Sequence, residues 1–275
     1  MTTFQKIIKY LAIALAIFLT VSIISGIVGF VSSVFGFVRR NDEGKIDYTK
    51  EFDGIKKLDI NYKVGKLIIK RGSRFKVEAS NVSRSFSAKE VNGTLFIDES
   101  SFFRKFLWIN FGHSRNSVIT VYLPEDFTAE SIKIDNGVGD VYLEDVSARR
   151  LSINGGAGSI TGRGLTADKA DIDGGVGSIN LSDVYFSDTD LDSGVGDVNI
   201  DGIMKGKTEI DCGVGSVRIN INAAREDYVL KVDTGLGNIR VDGERLSKDY
   251  RDNRQADNMI VIDGGVGDVR INFNN

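Results

Sequence analysis

The sequence predicts an all-β protein, a β-solenoid of stacked 19-residue coils with Gly-rich turns, preceded by one N-terminal transmembrane helix. Three observations support this prediction. The 275 residues include 31 Gly but only one Pro. A motif that holds two of those glycines recurs seven times from residue 134 onward. Charged residues are absent from Leu11 to Val38, which is long enough for a membrane-spanning helix.

The first 54 residues predict a membrane anchor followed by a linker. Residues 1–9 are a short N-terminal tail, 10–38 a transmembrane helix and 39–54 a polar juxtamembrane linker. The uncharged stretch would form a helix about 42 Å long, more than the ~30 Å hydrocarbon core, so it would tilt. A secretory signal peptide is the competing interpretation, but its apolar region is usually about 7–15 residues long and ends at a small-residue cleavage site. An uncleaved anchor is therefore favoured.

The charges beside the predicted span do not decide which side of the membrane the remaining chain faces. Lys6 and Lys9 precede the span, and Arg39 and Arg40 follow it, so the positive-inside rule is nearly balanced. Ser and Gly residues inside the span recur at spacings that would let two such helices pack closely. Small residues scattered through an ordinary span are an equally good interpretation.

Residues 132–275 form a regular repeat. Each copy reads apolar, Asp, any residue, Gly, apolar, Gly, polar, β-branched, any residue, apolar. The copies cover residues 134–143, 153–162, 172–181, 191–200, 210–219, 232–241 and 262–271. The second glycines of the first five copies are 19 residues apart, and insertions lengthen the last two spacings to 22 and 30. Such a period, with strand chemistry on both sides of a glycine turn, is typical of a β-solenoid in which each repeat is one coil.

Alternating side chains in the motif predict strands with one buried face. Val269 and Ile271 alternate with Arg270 and Asn272, which places one pair inward and the other in water. The two glycines suit a tight reversal or a close approach between coils. Two positions before the first glycine stand Asp135, Asn154, Asp173, Asp192, Asp211, Asp233 and Asp263. We expect these side chains to accept hydrogen bonds from backbone N–H groups in the turn, and to stack about 4.8 Å apart.

Residues 55–127 predict less regular coils of the same solenoid. The stretch 59–69 resembles a degenerate copy of the motif with a single glycine, Gly65, at the turn. An insertion at 100–117 is rich in Phe, Trp and basic side chains, and a second insertion occupies 242–259. The aromatic insertion could dip into a membrane interface or bind a partner. A hairpin whose rings cover one end of the core is favoured, because large exposed aromatic patches are unusual.

The composition argues against catalysis. Cys212 and His113 are the only residues of their kinds, so no intrachain disulfide can form, and a Cys–His nucleophilic pair or zinc site would rest on two residues far apart in sequence. Cys212 occupies the variable slot of the motif, where a small turn residue is the simpler interpretation. We therefore expect no catalytic residue, no metal site and no cofactor.

Two binding functions associated with glycine-rich motifs are not favoured either. Calcium-binding β-rolls repeat GGxGxD, whereas here an Asp follows the second glycine directly, is replaced by Ser159, Ser178 and Ser216, and recurs with a longer period. A phosphate-binding glycine loop precedes a helix, whereas a β-branched strand follows here. The net charge of -3 argues against nucleic acid as a partner.

Several segments together resemble a known family. They are the hydrophobic anchor, YKVGKLIIKRG from Tyr62 to Gly72, TVYLPEDF from Thr120 to Phe127, and the tandem IDxGVGD units. This combination is similar to the bacterial putative-adhesin family of membrane-anchored β-strand-repeat proteins of unknown function, which includes LiaG-like proteins of envelope-stress operons. The resemblance covers about residues 50–275. It implies a β-solenoid held outside the cytoplasmic membrane and transfers no catalytic residue.

Together these features predict a non-catalytic binding or sensory accessory protein at the cell envelope, with an extracytoplasmic solenoid over residues 55–275. Its expected partners are the lipid bilayer, through residues 10–38, and an envelope protein or a polysaccharide. One alternative is a self-assembling structural surface protein, because a last strand ending near Asn275 would leave an unpaired edge. Homo-oligomers could then form through this edge or through the transmembrane helix. The second alternative is a protein acting on cell-wall polysaccharide, with the Asp ladder supplying paired carboxylates.

Overall fold

The computed structural model describes residues 45–99 and 117–274. Regular structure in these ranges is almost entirely β-strand, and the one helical element among them is a short 3-10 turn at Arg225–Asp227. The all-β prediction is therefore confirmed. The expected transmembrane helix at 10–38 and nearly all of the insertion at 100–117 lie outside the described residues. Within the described ranges, no helix has the length and hydrophobicity needed to span a bilayer.

The strands are numbered in chain order. The N-terminal half contains β1 (Lys45–Glu51), β2 (Lys57–Val64), β3 (Lys66–Gly72), β4 (Lys76–Ser83), β5 (Ser87–Val91), β6 (Thr94–Asp98), β7 (Val118–Pro124), β8 (Ser131–Val138) and β9 (Val141–Glu144). The C-terminal half contains β10 (Ser147–Ala157), β11 (Ile160–Arg163), β12 (Thr166–Val176), β13 (Ile179–Val195), β14 (Val198–Met204), β15 (Lys207–Val214), β16 (Val217–Ile221), β17 (Tyr228–Leu236), β18 (Ile239–Val241), β19 (Glu244–Leu246), β20 (Asp249–Arg251), β21 (Asn258–Val266) and β22 (Val269–Phe273).

Equivalent strands of successive repeats pair in parallel and in register. Ile153 on β10 lies beside Ile134 on β8 and Ile172 on β12. After the glycine turn, Ile160 on β11 lies in the same way between its equivalents on β9 and β13. Each 19-residue repeat is thus one coil that stacks on its neighbours, as the spacing of the motif predicts.

In-register stacking places every inward side chain on its own equivalents, so the core consists of ladders. One ladder, at most 2% exposed, contains Ile60, Ile134, Ile153, Ile172, Leu191, Ile210, Ile262 and Val232. Burying each such side chain stabilises the fold by roughly 1.5–3 kcal/mol. A neighbouring ladder is interrupted by Thr189 and Thr208, whose hydroxyl oxygens are buried without a hydrogen-bond partner in the described residues. Polar atoms of this kind reduce the stability that the ladders provide.

The stacking order differs from the chain order near the C-terminus. Strand β15 pairs with β21, and β21 pairs in turn with β17. Strand β22 likewise lies between β16 and β18. An ion pair of low exposure holds the connections of this interleaved arrangement together, since Nη2 of Arg225 lies 2.5 Å from Oδ2 of Asp252. Arg225 also donates to the carbonyl oxygen of Tyr228 at 2.8 Å.

This order corrects one expectation about the C-terminus. Both edges of the last strand, β22, are paired, so the unpaired C-terminal edge that motivated the self-assembly alternative is not present. The insertion at 242–259 supplies the end of the stack instead. Its strands β19 and β20 pair antiparallel with β18 and β17. Short antiparallel strands of this kind protect a sheet edge from adding further strands.

The opposite end is capped in a similar way. Strands β6 and β7 stack outside β2 and β3, and antiparallel strands β5, β4 and β1 then follow. The assignment of residues 45–51 to the linker at 39–54 is therefore wrong, because they form β1. Ile46 and Tyr48 alternate with polar residues and pack against the core. The many charges of this segment hid that short alternating pattern.

Candidate binding surface at the glycine corner

Each coil turns sharply at its two glycines, and we call this position the glycine corner. The backbone angle φ is +146° at both Gly177 and Gly196, a conformation that is strained for any residue with a side chain. A Cβ on Gly196 would also overlap the carbonyl oxygen of Gly177 in the adjacent coil. A Cβ on the first glycine of a coil, such as Gly175, would meet the carbonyl oxygen of Gly156. The glycines therefore permit both the turn and the contact between coils, as expected.

The apolar residue between the two glycines points outward in every coil, and these residues form a continuous row that we call the apolar ridge. Its members, in stacking order, are Val64, Val138, Ala157, Val176, Val195, Val214, Val266 and Leu236. Val176 is 41% exposed and Val214 is 38% exposed. At about 4.8 Å per coil the ridge is about 34 Å long. Single exposed aliphatic side chains are common, whereas a contiguous row is typical of an interaction surface.

Beside the ridge, three positions earlier in each coil, lies the acidic ladder. It consists of Asp135, Asn154, Asp173, Asp192, Asp211, Asp263 and Asp233 in stacking order. The expectation that these side chains accept hydrogen bonds from the turn is wrong. Within the described residues, no hydrogen bond reaches the carboxylates of Asp173, Asp192 and Asp211. The reason is their position on the outward face of an extended strand, before the turn begins.

The capping role belongs instead to the Asp that follows the second glycine. Oδ1 of Asp197 accepts the backbone N–H of Ser216 at 2.9 Å, and Oδ1 of Asp140 accepts that of Ser159 at 3.0 Å. Each carboxylate thus bonds the next coil of the stack. The hydrogen bond from Ser216, followed by that from the Arg218 guanidinium, holds the pKa of Asp197 below its usual value although burial opposes it. A Ser in the receiving coil avoids stacking one carboxylate directly on another, which would repel.

The central part of the acidic ladder carries negative charge that no salt bridge compensates within the described residues: Lys133 pairs with Asp135 at one end, whereas Asp173, Asp192 and Asp211 form no such pair. Asp171, Asp190 and Glu209 lie on the same face two positions earlier and are also in register. Partial burial, and then the charges of Asp211 and Asp190, raise the pKa of Asp192. Burial accounts for the larger part of this rise, and the smaller part that comes from the neighbouring charges reflects repulsion between carboxylates in the folded protein. This face therefore favours a partner that brings positive charge.

A shallow groove of about 520 Å³ runs along the acidic ladder and the first glycines of four coils. Asp173, Asp192, Asp211 and Asp263 line it. In the ranges 45–99 and 117–274, no group of three or more His, Cys, Asp or Glu side chains is arranged to hold a metal ion. The groove thus presents a row of carboxylates beside the glycine backbone of four stacked coils.

Cys212 is one of the residues that line this groove, and it is buried. Its Sγ lies 3.7 Å from the carbonyl oxygen of Gly215, within the same glycine corner. Burial, and then the charge of Asp197, raise the pKa of the thiol, which keeps it protonated at neutral pH. His113, the base that a Cys–His pair would need, lies outside the described residues. Asn136 occupies the equivalent position of the first copy of the motif. It also forms a hydrogen bond within its glycine corner, since its Nδ2 donates to the carbonyl oxygen of Gly139 at 2.6 Å.

The apolar ridge is not recognisable from the sequence alone, although the motif contains its signal. An apolar residue stands between the two glycines in all seven copies. Side-chain direction follows a period of two only along extended strand, and the positive φ of the second glycine interrupts that period. Without the geometry of the corner, an apolar residue there cannot be distinguished from a core residue.

One family model matches most of the chain. The family is described as Toastrack DUF4097, and the match covers residues 55–272. No curated protein matches the chain.

The chain is also similar to several solved structures. One is a putative cell adhesion protein from Clostridium sporogenes, with 16% identity, a TM-score of 0.38 and coverage of 84% of this chain and 100% of that chain. Another is a putative adhesin from Bacteroides fragilis, with 15% identity, a TM-score of 0.46 and coverage of 83% and 97%. A putative lipid binding protein from Parabacteroides distasonis has 11% identity, a TM-score of 0.45 and coverage of 84% and 97%.

Proposed function

Because the chain belongs to the Toastrack DUF4097 family, we propose that it is a non-catalytic binding protein of the cell envelope. Residues 10–38 anchor it in the cytoplasmic membrane, and the solenoid lies outside the cytoplasm. There it serves as an accessory protein that senses or binds an envelope component, in association with the response to envelope stress.

The apolar ridge is the observation that carries this proposal. Folding requires glycine on both sides of the ridge position, whereas the side chain between them lies at the surface, half-buried or exposed, and not in the core. Val176, Val214, Val266 and Leu236 are each between 37% and 41% exposed. Keeping aliphatic residues at this position in every coil is explained by a partner that covers them.

The acidic ladder beside the ridge narrows the class of partner. An anionic lipid surface would be repelled by the carboxylates of Asp173, Asp192 and Asp211. An envelope protein with an apolar line flanked by Lys or Arg would satisfy both features, since opposite charges steer association and aliphatic contact supplies affinity. The partner that we propose is therefore a protein segment that lies along the stack.

Site-specific photo-crosslinking in intact cells tests this proposal. A photoreactive residue at Val195 on the ridge should capture one reproducible protein, while the same residue at Thr161 on another face should not. The double substitution V176K/V214K should abolish capture at Val195. The matched pair T161K/N180K adds the same two charges elsewhere and should leave capture intact. Identical products from Val195 and Thr161, or loss of capture with both pairs, would contradict a ridge-specific partner.

The proposed anchor has a separate test. The full chain should sediment with membranes, and a chain lacking residues 1–44 should not. Protease added to intact spheroplasts should digest the solenoid of the full-length protein, and a cytoplasmic marker protein should survive the same treatment. Protection of the solenoid would place it in the cytoplasm and contradict the proposed orientation.

A further inference from the structure

Four arginines form a row across the strands that follow the glycine corner, and we call this row the arginine column. Arg218 on β16 lies in register with Arg270 on β22, which lies in register with Arg240 on β18. Arg245 on β19 lies opposite Arg240 in the antiparallel cap. All four residues are exposed. At about 4.8 Å per strand the column extends over about 14 Å.

Such a row is unfavourable for the isolated fold. Like charges on directly opposite residues of a sheet repel each other. Two of the arginines form a salt bridge, since Arg218 Nη1 lies 3.2 Å from Asp197 Oδ2 and Arg270 Nη2 lies 3.7 Å from Asp268 Oδ2. Asp268 is also close enough to Arg240 to interact with its charge. Arg240 and Arg245 form no salt bridge within the described ranges. Two guanidinium groups are therefore available to an external anion.

The positive charge is confined to one end of the stack. The equivalent outward positions on the preceding coils are uncharged, namely Tyr142, Thr161, Asn180 and Asn199. Two positions after Arg218 and Arg270 stand Asn220 and Asn272, and Asn272 Nδ2 donates to Asn220 Oδ1 at 2.9 Å. Guanidinium groups supplemented by amide groups provide the donors that phosphate oxygens accept.

We propose that the arginine column is a binding site for a linear polyanion that carries repeated phosphate groups. A straight row of guanidinium groups on adjacent strands presents successive pairs of N–H donors to a polymer chain that runs across the strands. Charge complementarity therefore favours a polymer over a single small anion, which could engage only one or two of the four groups. This site uses different residues and the opposite charge from the acidic ladder, so it does not depend on the ridge partner.

Inorganic polyphosphate is the probe for this site. The full chain, reconstituted in phosphatidylcholine nanodiscs, should bind fluorescent polyphosphate, and R240Q/R245Q should weaken binding about tenfold at low salt. By counterion release, the slope of log K against log salt concentration should fall by about two. The control pair R149Q/R150Q removes two exposed arginines from β10 and should change affinity less than twofold. Equal unfolding midpoints for all three proteins would show that the fold is intact.

Three results would overturn the proposal. They are no polyphosphate binding by the unsubstituted chain, equal losses in the two arginine pairs, and an unchanged salt slope in R240Q/R245Q. Vesicles containing phosphatidylglycerol distinguish the other source of phosphate. If R240Q/R245Q lost binding to these vesicles while polyphosphate bound to neither protein, the column would bind lipid headgroups, and the polymer proposal would be wrong.

Discussion

Substituting the second glycine of a central coil tests the contact between coils. In Gly196→Ala the new Cβ would occupy a backbone with φ of +146° and overlap the carbonyl oxygen of Gly177. The backbone conformation alone costs about 1–3 kcal/mol for a residue with a side chain. Forcing an extra methyl group against a packed backbone adds about 1–3 kcal/mol. We therefore expect the free energy of unfolding to fall by about 2–6 kcal/mol.

Gly243→Ala is the matched control. Gly243 also has a positive φ, +81°, but no atom lies within 4 Å of the position that a Cβ would take. This variant carries conformational strain without steric overlap, so we expect a loss of about 1 kcal/mol. The difference between the two variants removes the general preference for glycine at positive φ, and what remains is the contact between coils together with any extra strain of φ +146° over φ +81°.

Urea unfolding of the full chain in a non-ionic detergent, followed by circular dichroism, provides the measurement. Gly196→Ala should move the midpoint to clearly lower urea than Gly243→Ala does, with the same slope m. Equal midpoints for the two variants would show that adjacent coils adjust to a methyl group at the corner. Steric contact with the adjacent coil would then not be the reason why this position requires glycine.

Three further predictions concern polar groups. Asp197→Ala should lower stability by about 1 kcal/mol at neutral pH, because the bond to the Ser216 N–H is lost, while Asp173→Ala should lower it little. Because the pKa of Asp197 is lowered in the folded protein, its carboxylate stabilises the fold at pH values above the usual pKa of an Asp. This stabilisation is lost as the pH falls through the pKa that Asp197 has in the folded protein. Thr208→Val should raise stability by about 1 kcal/mol, because it removes a buried hydroxyl without a partner. Burial raises the pKa of Glu99, so the ionised side chain destabilises the folded state increasingly as the pH rises. Glu99→Gln should therefore stabilise the protein at about pH 8 but not at about pH 4.

Unfolding midpoints measured across pH test these predictions, and each has its own contradicting result. Equal losses in Asp197→Ala and Asp173→Ala would mean that capping by Asp197 contributes nothing specific. Destabilisation by Thr208→Val would show that the hydroxyl has a partner in solution. A pH-independent effect of Glu99→Gln would show that Glu99 is ionised equally easily in the folded and unfolded chain.

The coils and their ladders could be predicted because each depends on local pattern. The alternation of Ile153 with polar neighbours gives a buried face, and the 19-residue period gives the length of a coil. The stacking order could not be predicted in this way. Copies of one motif offer nearly the same ladder of backbone groups, so local sequence does not specify which coil lies beside which. The insertion at 242–259 is long enough to let the chain pass over one coil, and its Asp252 pairs with Arg225 across the resulting connections.

The candidate binding surface was predicted only in part. The acidic ladder was located by its spacing, but its role was assigned to the turn, because Asp beside glycine usually caps. The capping residue is Asp197 instead. Whether an Asp caps the turn depends on whether it follows the glycine corner, as Asp197 does, or precedes it, as the acidic ladder does. The arginine column depends on the stacking order, since Arg270 and Arg240 become neighbours only when the C-terminal coil enters between two others.

The position of the C-terminal coil has a consequence for biosynthesis. Chains leave the ribosome N-terminus first, and early parts begin to fold while later parts are still being made. Strands β17 and β18 cannot reach their parallel neighbours until β21 and β22 have emerged. A chain released before β21 and β22 had been made would leave the edges of β15 and β16 open beside an undocked segment. Products that lack these two strands would thereby be exposed to quality-control proteases, whereas a chain that contains them closes its own stack.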